Sequence, residues 1–176
     1  AAIGSQSRGA LVAITLTALM FWWKSRKKLG LALLITVAAV TIVYLMPDAW
    51  YERMSTINTY EEDASALGRI NAWWAAWNLA NHEFFGGGFE VWRPLMFSMY
   101  APDPANVRAP HSIYFQVLGE HGWVGFIIFM SLISLTWLRC SSLRRMGKRQ
   151  PQLLWAGDLG AMVQVSLLGY MSAGAF

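Results

Sequence analysis

Leu29-Gly30-Leu31-Ala32-Leu33-Leu34-Ile35-Thr36-Val37-Ala38-Ala39-Val40-Thr41-Ile42-Val43-Tyr44-Leu45-Met46 carries no charge, with Lys24-Ser25-Arg26-Lys27-Lys28 before it and Pro47-Asp48 after it. As an α-helix these residues rise about 27 Å, close to the about 30 Å of a bilayer's hydrocarbon core. The stretch is a transmembrane helix, and its neighbours follow from it. Upstream, an apolar run ends at Trp22-Trp23, residues favoured at a membrane interface. Counted back only to Gly9 it spans about 22 Å, too short to cross. That helix is expected to begin before Arg8, or to have its outer end sheltered by other helices. Either way Arg8 falls at or inside the outer boundary. Downstream, a third span is expected from near His111 to Leu138, longer than a bilayer needs. Glu120 and His121 then sit near the outer interface, with residues 111–119 above it or tilted into it. A fourth span covers residues 153–176.

Composition agrees with membrane residence. The chain of 176 residues is 56% hydrophobic and 14% charged, whereas about 25% charge is usual for a soluble domain. All four lysines lie in two connectors, 24–28 and 139–149. The loop between them, residues 47–111, has eight carboxylates, no lysine, and the arginines Arg53, Arg69, Arg93 and Arg108. Basic residues beside span ends mark the cytoplasmic face, so parity puts the loop outside. The net charge of +4 serves orientation and does not imply nucleic acid. Cys140 is the single cysteine, so no disulfide forms within the chain. The expected fold is an all-α, multispanning membrane fragment of about four transmembrane helices with one large extracytoplasmic loop. Residues 1–46 hold the first two helices and connector 24–28. Residues 47–111 form the loop, and residues 112–176 hold the last two helices and connector 139–150. A start at Ala1 without Met and a stop at Phe176 in an apolar run read as an internal piece of a larger protein.

The loop has its own organisation. Thr59-Tyr60-Glu61-Glu62 fits a capping box, and Glu61, Glu62 and Asp63 suit a helix N-terminus. Ile70, Trp73, Trp74 and Trp77 recur at three- and four-residue spacing, predicting a helix over 64–81 with one aromatic face. Arg69 lies one turn before Trp73 on that face. Such a helix is expected to lie on the membrane surface. Gly86-Gly87-Gly88 reads as a turn, followed by a proline-rich stretch to His111. Gly119, Gly122 and Gly125 recur every three residues, a spacing that lets helix backbones approach closely.

Three residues are candidates for chemistry. Arg8 reads either as a snorkelling side chain or as an anion contact in a span, where ionisable groups are costly and functional by default. Arg69 is an interfacial anchor, a partner for Glu62 or Asp63, or a phosphate ligand, since its planar fork suits paired oxygens. His111 is either a structural hydrogen bonder or a base, because imidazole accepts protons near neutral pH. Glu120-His121 could relay a proton or solvate the interface. No two histidines have ligand spacing, and the adjacent carboxylates 61–63 do not converge on a helix. A site without metal or cofactor is expected.

These residues resemble a known family. Arg at the outer end of a span, a Trp-rich loop helix with Arg69, and His opening a span before Leu118-Gly119-Glu120-His121-Gly122 are similar to O-antigen ligases and polymerases. Trp50-Tyr51-Glu52-Arg53-Met54, Gly68-Arg69-Ile70-Asn71-Ala72-Trp73, Gly86-Gly87-Gly88-Phe89 and His111-Ser112-Ile113-Tyr114-Phe115 resemble the branch of O-glycosylation ligases associated with exosortase systems. Ser112 stands where many relatives have Asn. The resemblance implies a bacterial inner-membrane glycosyltransferase. Its donor is an undecaprenyl diphosphate-linked glycan, and its acceptor is a lipid, glycan or protein hydroxyl on the periplasmic face. It implies that Arg8 and Arg69 contact the diphosphate and that His111 serves the acceptor. Trp73, Tyr114 and Glu120 join the two arginines as candidate substrate contacts. A polymerase of the same superfamily, or a glycolipid transporter without chemistry, are the rival functions. A lengthened carrier-linked chain marks the polymerase, and absence of released carrier marks the transporter.

Overall fold

The computed structural model describes residues 8–25, 27–45 and 64–175, with side chains from residue 12 onward in the first stretch. Among them every regular element is helical: α1 (Arg8–Lys24), α2 (Lys28–Leu45), α3 (Ala64–His82), α4 (Pro94–Tyr100), α5 (Ile113–Arg149) and α6 (Leu154–Ala173), with a 3-10 turn at Pro151–Leu153 ahead of α6. The predicted capping box at 59–62 and the carboxylates at 61–63 lie outside the described residues. Two compact units result, one of Ala1–Ile57 with Thr136–Ala173, the other of Asn58–Leu135 with Gly174–Phe176.

In the first unit α2 is apolar from Leu29 to Leu45, and the basic residues gather at helix ends. Among the described residues three helices are long and apolar enough to cross a membrane: Lys28–Leu45, Ile113–Arg149 and Pro151–Ala173. The expected first span is α1, whose described side chains form the apolar stretch Val12–Lys24. α2 has no buried residue, as suits a helix whose solvent is lipid. α6 instead packs on α1 and on the end of α5. A Cβ on Gly160 would come within 2.8 Å of the Cys140 carbonyl oxygen, so the small residue sets how closely these backbones approach. The basic stretch 139–149 is not a separate connector. It continues α5 as helix up to Arg149, and only Gln150 and the 3-10 turn separate it from α6.

The second unit is built on α3. Ala72, Ala75 and Leu79 form its inner face and meet Met96 and Phe97 of α4. Alanines at these positions remove bulk, so the seven-residue α4 lies close against them. The opposite face carries Trp74 and Trp77, 54% and 43% exposed. Contiguous exposed aromatics of this kind mark a surface made for lipid or ligand. Side-chain amides fasten the following loop to α3. Asn71 donates to the Asp103 and Asn106 carbonyls at 2.8 and 3.1 Å and accepts from the Asp103 amide at 2.9 Å. Asn78 donates to the Tyr100 carbonyl at 2.8 Å.

α5 departs from the sequence expectation. It is not a straight span from His111. Gly122 has φ 62° and ψ −161°, outside helical values. The rings of Tyr114 and Phe129 lie 6.4 Å apart, although a straight helix would separate the two positions by about 22 Å. Arm 113–121 therefore folds back sharply on the arm that follows. A helix broken at this point loses the bond from the Trp123 amide to the Gly119 carbonyl. The glycine loop takes both ends of it. Gly87 donates to the Gly119 carbonyl at 2.9 Å, and the Trp123 amide donates to the Phe84 carbonyl at 3.0 Å. Gly88 donates to the Glu120 carbonyl at 2.9 Å. Gly119, Gly122 and Gly125 are thus not a stripe for a neighbouring helix. Gly119 lies under the Trp92 ring, Gly122 receives the loop backbone, and Gly125 abuts His121 of its own helix.

Candidate functional site

Arg69, His111 and the aromatic face belong to the second unit. Arg69 sits on the second turn of α3, and its guanidinium donates to the Ser65 hydroxyl at 3.3 Å. One turn on, the Trp73 indole donates to the Pro110 carbonyl at 2.8 Å. The same indole stacks on Phe115 with centroids 5.0 Å apart and planes 7° from parallel. Trp73 thereby ties the turn after Arg69 to the residue before His111 and to the start of α5. His111 itself is exposed and has φ 49°. That region is sparsely used outside glycine. Buried Pro110 and buried Ser112 flank it, so the strained residue presents its imidazole outward. The Ser112 hydroxyl is buried with no hydrogen-bond partner, a costly state that in native proteins calls for an explanation.

A cleft of about 450 Å³ opens beside these residues, lined by Ile70, Trp73, Trp74, Trp77 and Phe115. Its walls are almost wholly apolar, which fits a hydrocarbon or a sugar face. Arg69 immediately precedes its first lining residue.

Arg108, a loop arginine with no motif of its own in the sequence, joins this site. A Cβ on Gly68 would lie 2.6 Å from Arg108 Cδ and 3.0 Å from its Nε. Its stem therefore crosses α3 beside Arg69, and Gly68 is the space that admits it. Among the described residues neither Arg69 nor Arg108 forms an ion pair; the arginine that does is Arg93, with Glu90 at 2.7 Å. The one visible signal was Gly68, the single glycine in an otherwise helix-favouring run.

Other predicted positions have internal partners. Glu120 is 9% exposed. Its carboxylate accepts from the Gln116 amide at 3.1 Å and the Trp92 indole at 3.4 Å, and lies 3.9 Å from His121 Nε2. It thus braces the ring that covers Gly119. Tyr114 is half-buried and meets Phe129 edge to face. Arg8 opens the described part of α1, in the other unit, and its side chain lies outside the described residues. Among the described residues no three of His, Cys, Asp and Glu cluster to hold a metal ion.

Residues 1–130 match the protein family described as O-antigen ligase. No curated protein and no solved structure matches the chain.

Proposed function

Because the chain belongs to the O-antigen ligase family, we propose that it transfers a glycan from an undecaprenyl diphosphate carrier to an acceptor hydroxyl at the periplasmic face of the inner membrane, without metal and with inversion. The observation that carries this is the Trp73 bridge. One side chain, bonded at 2.8 Å to Pro110 and stacked on Phe115, couples the arginine turn of α3 to the strained histidine. The aromatic cleft at Arg69 suits the first isoprene units or a sugar face.

The acceptor hydroxyl gives its proton to the His111 imidazole while its oxygen attacks the anomeric carbon of the donor. The bond from that carbon to the diphosphate oxygen breaks, and undecaprenyl diphosphate leaves with the electron pair. Attack opposite the leaving group inverts the configuration. Arg69 and Arg8 hold the charge that develops on the diphosphate, and Arg108 adds a further guanidinium beside Arg69. At a membrane interface the lower dielectric strengthens such contacts. Tyr114 and Glu120 remain as supports of the acceptor side, through the arm of α5 that follows His111.

The test uses the purified full-length protein with labelled carrier-linked glycan. Arg69→Lys keeps the charge but loses the paired donors, and transfer should fall about tenfold or more. His111→Ala should leave carrier binding within about twofold while abolishing release of free undecaprenyl diphosphate. Full transfer by Arg69→Lys would reduce Arg69 to an anchor, and equal loss of binding and transfer in His111→Ala would remove the base assignment.

A further inference from the structure

The first unit contains a second site, independent of the transfer chemistry. Gln164 of α6 is 1% exposed. Its amide nitrogen donates to the Trp137 carbonyl at 3.1 Å and to the Ser141 hydroxyl at 2.7 Å. With the nitrogen so engaged, the amide oxygen points the other way. There it accepts from Arg144 Nη1 at 3.3 Å and from Lys24 Nζ. Two cations thus converge on one neutral oxygen. Among the described residues neither forms an ion pair. Like charges held together in a partly buried place repel, and a carbonyl dipole offsets only part of that repulsion. The Trp137 ring, with its centroid 5.3 Å from Lys24 Nζ, is a further neutral partner, so among the described residues the pair has no anionic one.

The space for one is present. A cavity of about 1010 Å³ opens at this point, and Lys28 and Lys148 line it together with Lys24 and Arg144. Asp158 is the single carboxylate on its wall. Apart from Ser141 and Gln164 the remaining wall is apolar, with Leu16, Leu19 and Trp22 of α1 prominent in it. The cavity therefore has a cationic end and a hydrocarbon side. A free inorganic anion would match the first and leave the second uncovered. A phosphate headgroup with its acyl chains matches both. Basic pockets between membrane helices on the face rich in Lys and Arg take lipids of this kind.

We propose that this cavity binds the phosphate headgroup of an anionic phospholipid, with Lys24 and Arg144 on the phosphate, Lys28 and Lys148 at the rim, and an acyl chain along α1. The full-length protein in neutral detergent is given equal phosphatidylglycerol and phosphatidylcholine of one chain length, and bound lipid is read by native mass spectrometry. Phosphatidylglycerol should be retained in preference, and each cation removed should lower that preference about fivefold. Lys24→Gln with Arg144→Gln tests the inner pair. Lys28→Gln with Lys148→Gln leaves Gln164 and its bonds intact, and tests the site even if the inner pair is needed for folding. Equal retention of the two lipids by the wild type would overturn the proposal. So would an unchanged preference in the rim variant, or full displacement of the lipid by millimolar inorganic phosphate, which would assign a soluble anion. A copurifying acidic protein segment that excludes both lipids would overturn it too.

Discussion

Gly122 shows how one residue sets a local architecture. Its φ of 62° breaks α5, and a Cβ there would lie 2.1 Å from the Phe84 carbonyl oxygen. The close neighbour is backbone, so no side chain can swing away to make room. Gly122→Ala should therefore destabilise the protein by at least about 3 kcal/mol, the sum of positive-φ strain and a displaced loop. Reversible denaturation in micelles checks this, and a loss under about 1 kcal/mol would mean the loop yields easily. The break was not legible in the sequence. Glycines at 119, 122 and 125 fit a helix-packing stripe as well as they fit a break, and only the backbone angle separates the two. His111 was legible as a candidate from its place between loop and helix, but its φ of 49° depends on the burial of Pro110 and Ser112, which no local pattern announces.

At the scale of elements, α3 was the most legible part of the site. Its tryptophan spacing predicted residues 64–81, and the helix runs over Ala64–His82. The alanine face was not singled out, because small residues carry little periodic signal. α4 was missed for a related reason: seven residues give no measurable period, and they begin at a proline within a proline-rich stretch. The joint between α3 and α5 gives a sharp prediction. Trp73→Phe keeps a ring for Phe115 but loses the donor to Pro110. Stability should fall by about 1–2 kcal/mol, as one buried carbonyl loses its partner. Transfer should fall further than stability explains, since Pro110 positions the proposed base. Trp155→Phe, at an exposed ring outside the cleft and with no such bond, should change neither. Parallel unfolding curves and initial rates for the two variants decide it; identical behaviour would detach Trp73 from the site.

Over the whole molecule, charge placement was the most readable feature. Lysines in 24–28 and 139–149, and none in 47–111, give the proposed orientation without reference to any contact. What charge placement could not foresee is that residues 139–149 stay helical, since arginine and lysine favour helix as much as they favour water. In a Cys140→Ala background, Ser98→Cys should react with a membrane-impermeant maleimide in intact cells whose outer barrier has been opened. Ser25→Cys should react only after the inner membrane is permeabilised. The reverse pattern would invert the orientation and move the proposed chemistry to the cytosol. The insertion of Phe84 to Gly88 into the gap in α5 also bears on biogenesis. Residues 84–88 leave the ribosome before residue 122, so the plug is always made ahead of its socket. The late helix can close as it emerges, and its loose carbonyls need not wait in lipid for a partner still to be synthesised.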